Sequence, residues 1–106
     1  MSVDTKLIKQ RKKLYGDNFS CIAQKWSEYL NESVNMPAKV ELQPDDVAMM
    51  MSLMKECRIE AIKEKLKNED LSIQDRAKLN EALKDSRADR DNYKFIAMNY
   101  EIYKKL

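Results

Sequence analysis

Pro44-Asp45-Asp46-Val47-Ala48-Met49-Met50-Met51-Ser52-Leu53-Met54 decides the fold. Proline suits the first helical position, where its missing amide costs nothing, and two aspartates in the first turn complement the positive end of the helix dipole. From Val47 to Met54 seven of eight residues are apolar, so the helix that starts here has hardly any polar face and must be covered on several sides. This is the central helix. Its four methionines, Met49, Met50, Met51 and Met54, make either an ordinary core or an adaptable contact surface, because the unbranched thioether fills irregular gaps. Farther along, Ala61, Ile62 and Leu66 keep a narrower stripe and the helix can run to about Asn68.

Outward from this segment, composition agrees. The chain has 106 residues, one glycine, two prolines and 36% charged residues, a balance that starves hairpin turns and favours long helices. An all-α fold is expected, a small antiparallel bundle of four to five helices in a single domain over residues 1–106. On the N-terminal side, Ser2 or Asp4 can cap a first helix with sparse apolar residues, Val3, Leu7 and Leu14, ended by Gly16 in a left-handed conformation. Asp17 is the expected cap of a second helix whose Phe19, Ile22, Ala23, Trp26, Tyr29 and Leu30 share one stripe, ending near Asn31. Trp26 is expected to anchor the core between the second and third helices. Residues 31–43, with Asn35 and Pro37, have no helical period, although alternation around Val40 and Leu42 allows a short extended piece.

On the C-terminal side, Ser72 with Asp75 three residues on resembles a capping box and opens a helix carrying Leu79, Ala82 and Leu83. Residues 84–92 are mostly charged, so this helix either continues exposed or breaks before a last helix with Tyr93, Ile96, Ala97, Tyr100 and Tyr103 on one face. Residues 63–90 read as a charged helical insertion.

The residue types present restrict chemistry. Without histidine there is no histidine-containing zinc site and no nucleophile–histidine pair. Cys21 and Cys57 fall on apolar stripes and read as small hydrophobes. No apolar run approaches a membrane span and no secretory leader is visible, so the expected location is intracellular, with no membrane partner. A net charge of +2 and a pI near 8.5 are too balanced to imply a nucleic-acid binder. The asymmetry is local: Lys6, Lys9, Arg11, Lys12 and Lys13 stand against Asp4, as either a solvated face or a docking patch for an acidic partner.

Tyr15-Gly16-Asp17, Asn18-Phe19-x-x-Ile22-Ala23-x-x-Trp26-x-x-Tyr29-Leu30 and Asp46-Val47-Ala48-x-Met50-Met51-x-x-x-Lys55-x-x-Arg58 resemble a family of small helical proteins of unknown function from tailed phages and prophages. That family closes on a D-x-x-x-D-x-x-G-Y pattern. Here Asp91-Asn92-Tyr93 is read as its beginning, with Phe95 at the second aspartate and Met98 at the glycine. The resemblance implies a protein acting in the cytoplasm of an infected bacterium. The family is in turn loosely similar to all-helical nucleoside triphosphate pyrophosphohydrolases, which hold magnesium on clustered carboxylates, although no Glu-x-x-Glu occurs here and only Glu56, Glu60, Asp89 and Asp91 offer ligands.

Lys55 and Arg58 lie one turn apart. With Asp17, Asn18 and Asp91 they are expected to form a polar cluster, either a buried ion pair ordering the turn before the second helix or a phosphate-holding pocket. Two functions follow. One is a non-catalytic interaction protein that self-associates, its second copy completing the core, and binds a host or phage protein to modulate defence or metabolism; its contact residues would be the five basic side chains above with Met49, Met50 and Met51. It needs no catalytic residue, cofactor or metal. The alternative is a nucleotide-binding or magnesium-dependent hydrolase.

Overall fold

The computed structural model describes residues 4–33 and 38–106. Within them lie five α-helices and no strand: α1 (Thr5–Tyr15), α2 (Phe19–Ser33), α3 (Pro44–Leu66), α4 (Ile73–Met98) and α5 (Tyr100–Tyr103). Ser2, Val3, Asn35 and Pro37 fall outside the described residues, so their expected roles in the first helix and the loop are not assessed.

Asp4 caps α1, its carboxylate accepting from the Lys6 amide at 3.0 Å. Gly16 ends it with φ 72° and ψ −160°, a region essentially reserved for glycine. The buried residue of α1 is Ile8, while Leu7 and Leu14 are exposed. Arg11, Lys12 and Tyr15 complete the Ile8 face at spacings of three, four and seven, so charged stems cover what a purely apolar count misses.

Asp17 does not cap α2. Its carboxylate pairs with Lys12 at 3.2 Å, and the Asn18 carbonyl accepts the first helical bond from Ile22. Along α2 the buried line is Phe19, Ala23 and Ser27, one residue per turn. Trp26 is half-buried and Tyr29 is 65% exposed, so the expected stripe is rotated and Trp26 sits at the edge of the core. Small residues on the buried line explain this, because they allow the chain after α2 to approach closely. The Ser27 hydroxyl donates to the Ala23 carbonyl at 2.7 Å and accepts from the Leu42 amide at 2.8 Å. Asn31 holds the same segment with both ends of its amide, accepting from the Val40 N–H at 2.7 Å and donating to the Val40 carbonyl at 2.8 Å. The expected extended piece is thus satisfied by side chains in place of a partner strand.

α3 begins as its sequence dictates, with Pro44 in the first turn and the Gln43 N–H donating to the Asp46 carboxylate at 3.0 Å. It runs antiparallel to α4 along most of its length, and Ser72 caps α4 by accepting from the Asp75 amide at 3.0 Å. The charged stretch 84–92 does not break. α4 continues to Met98, and Asn99 separates it from the single turn of α5. The core has two parts. One joins Ile8, Phe19, Ala23, Val47, Ala48, Ile96 and Tyr103; the other, Ile59, Ile62 and Leu83, lies in the projecting half of the α3–α4 hairpin. Of the apolar run Val47–Met54, only Val47 and Ala48 are fully buried. The third buried position is its one polar residue, Ser52, whose hydroxyl donates to the Arg90 carbonyl at 2.9 Å where α3 and α4 approach.

Candidate functional site

Where α1, α3 and α4 meet, they bring together Arg11, Tyr15, Lys55, Asp89 and Asn92. The Tyr15 hydroxyl donates to Asp89 at 2.9 Å and accepts from the Asn92 side-chain amide at 3.0 Å. Arg11 donates to the Asn92 oxygen at 2.7 Å, with its guanidinium 5.7 Å from the centre of the Phe95 ring. Lys55 reaches Asp89 from α3 at 3.6 Å. Tyr15 packs edge-on against Tyr93, ring centroids 5.0 Å apart. Burial pushes the Tyr15 and Tyr93 phenols above the usual tyrosine range, and Asp89 adds to the effect on both.

A second junction closes the ends of the chain. The Tyr103 hydroxyl donates to the Gly16 carbonyl, and the Lys12 ammonium donates to the Tyr103 carbonyl at 3.0 Å. Tyr103 is buried, and its phenol is pushed up to about 12, by burial first and then by the nearby Asp17. Phe19 lies edge-on to both Tyr100 and Tyr103.

The expected cluster of Asp17, Asn18, Lys55, Arg58 and Asp91 is not assembled. Lys55 alone joins the polar junction. Asp17 pairs with Lys12, and Asp91 is exposed and pairs with Arg90 at 3.0 Å. Asn18 is exposed. Arg58 is exposed and makes no ion pair among the described residues, so it is not the buried partner expected, because Lys55 turns toward α4 while Arg58 turns to solvent. The acid facing inward is Asp89. Asp89 and Asn92 lie three residues apart on the side of α4 that meets Tyr15, and that helical spacing was the signal that could have found them.

The contact residues separate. Lys6, Lys9 and Lys13 are exposed on α1, whereas Arg11 and Lys12 are spent on the two junctions. Met51 packs against the main core, Met49 lines a groove with Glu56, Arg90 and Lys94, and Met50 lines another with Trp26, Tyr29, Leu30 and Leu42. Cys21 and Cys57 are exposed free thiols, contrary to the expected burial.

The acids read as candidate magnesium ligands are engaged by other side chains of the chain. Glu56 is bound to Arg90 at 2.8 Å, Glu60 to Lys63 at 3.4 Å and Asp89 to Tyr15, and among the described residues no three acids or cysteines converge as ligands. No buried side-chain nitrogen or oxygen lacks a partner among the described residues. The network is therefore closed on itself and positions helices.

A family model, DUF6378, a domain of unknown function, matches residues 2–77. The chain belongs to this family. The matched span takes in α1 to α3 and the start of α4, so Tyr15 and Lys55 lie inside it and Asp89 and Asn92 beyond it. No curated protein and no solved structure matches the chain. No helix among the described residues is long and apolar enough to cross a membrane.

Proposed function

We propose that this DUF6378 protein is a non-catalytic interaction protein, encoded by a phage or prophage, that self-associates and binds a host or phage protein in the bacterial cytoplasm, modulating defence or metabolism. The supporting observation is an uncovered apolar surface on α2 and α3: Tyr29, Met50, Leu53 and Met54 are all exposed beside the half-buried Trp26. Scattered apolar side chains are ordinary, but a contiguous set marks an interaction site. The molecule's shape adds weight. Its radius of gyration is 17.2 Å, where about 13 Å suits a compact domain of this length. Its accessible surface is 7989 Å², against about 6200 Å² for a compact monomer of this mass.

The polar junctions supply the complementary argument: their side chains bond one another, Tyr15 to Asp89 and Asn92 and Lys12 to the Tyr103 carbonyl, and so hold the helices together. Self-association predicts a melting temperature that rises with protein concentration, since binding between folded copies stabilises them by mass action. A melting temperature constant over about a hundredfold dilution overturns the proposal.

A further inference from the structure

Met50, Met54, Cys57 and Ala61 follow one another on α3 at intervals of four, three and four, and all four are exposed. Those intervals are the a/d spacing of a short coiled-coil contact seam of under two heptads, with Met54 and Ala61 at a positions and Met50 and Cys57 at d positions, bounded by Val47, buried in the chain's own core, and by Glu64 at the next d position. It is a second apolar stripe, separate from the one formed by Ala48, Ser52, Ile59 and Ile62, which faces the rest of the chain. Met50 carries the seam into the groove lined by Trp26 and Leu42, so the exposed patch on α2 and the seam on α3 are continuous.

Resting on the proposed self-association, we infer that this seam pairs with the same seam of a second copy, the two α3 helices running parallel about a two-fold axis. Charge beside the seam selects the direction. Arg58 and Lys65 occupy e positions on one flank, and Leu53 and Glu60 occupy g positions on the other. In a parallel pair each g position meets the partner's e position five residues on, so Glu60 faces Lys65 of the partner subunit, twice by symmetry. In an antiparallel pair e meets e, and the basic side chains of Arg58 and Lys65 would oppose one another. The parallel two-fold also sets α2 of the second copy on the Leu53 side of the seam, which this chain's own α2 leaves uncovered.

The test uses the full chain carrying Cys21→Ser, so that Cys57 is the one thiol. Light scattering is expected to show twice the 12.5 kDa chain mass. Met54→Lys, at an exposed position, is expected to halve that mass while the helical circular dichroism stays unchanged. Diamide, which takes up two electrons and two protons as two thiols join, is expected to convert the dimer to a Cys57–Cys57 cross-linked species, because equivalent d positions face each other in a parallel pair. Glu60→Lys and Lys65→Glu are each expected to weaken association about tenfold, and together to restore it, since each reverses two symmetry-related pairs. A monomer at tens of micromolar overturns both this inference and the proposed self-association. A dimer that fails either to cross-link through Cys57 or to recover in the double charge swap overturns the parallel seam alone.

Discussion

Gly16 shows how much can rest on one residue. Its φ of 72° turns the chain between α1 and α2, and its carbonyl receives the Tyr103 hydroxyl. A methyl group there meets nothing within 4 Å, so the cost of Gly16→Ala is purely conformational, about 1 to 3 kcal/mol, readable by urea denaturation. Tyr103 gives a pH dependence with a defined sign. Its phenol ionises near 10 when unfolded and at about 12 in the folded chain. The folded state therefore holds the proton more tightly, so this contribution is complete below pH 10 and is lost as the pH rises through 12. Tyr103→Phe should flatten the alkaline fall in stability; an unchanged profile would contradict the assignment. At this scale the sequence was legible where capping chemistry is local, as at Asp4, Gly16, Pro44 and Ser72. It was illegible where burial depends on an approaching neighbour. Ile8 is buried within a basic run whose composition gives no sign of it, and Ser27 and Ser52 are buried because each hydroxyl bonds a backbone group of another segment.

Among the elements, the α3–α4 hairpin has the thinnest core. Ile59 and Ile62 face Leu83 with little else above them, so Ile59→Ala should cost about 2 to 5 kcal/mol and free the projecting half first. Amide hydrogen exchange that accelerates in residues 56–83 while the α1–α2 core stays protected would show this; uniform acceleration would contradict it. Arg76 ties the hairpin's tip by donating to the Leu66 carbonyl at 3.1 Å and the Asn68 carbonyl at 2.9 Å, which α3 leaves without helical partners. The continuity of α4 was undecidable from sequence, because six charged residues in nine are compatible with an exposed helix or a loop. What keeps it helical is Ser86 and Asp89 turned inward between charges turned outward.

At the scale of the whole molecule, the central helix divides its apolar residues between an inner face of small and β-branched side chains and an outer face of methionines, Leu53, Cys57 and Ala61. The expectation that a second copy completes the core came from counting apolar positions; the structure relocates the uncovered ones to a defined stripe that begins where α2 ends its cover. The same view sets the nucleotide alternative its own test. With Lys55 engaged by Asp89 and Arg58 pointing away, a panel of nucleotides with magnesium should leave the melting temperature unmoved. A ligand at a hundred times its dissociation constant would instead add about 2.7 kcal/mol of stability.

Sedimentation equilibrium of the purified chain across the micromolar range tests self-association most directly. A single reversible transition to a species of twice the 12.5 kDa chain mass, abolished by Met54→Lys, is the expected result; a 12.5 kDa particle at every concentration would contradict it.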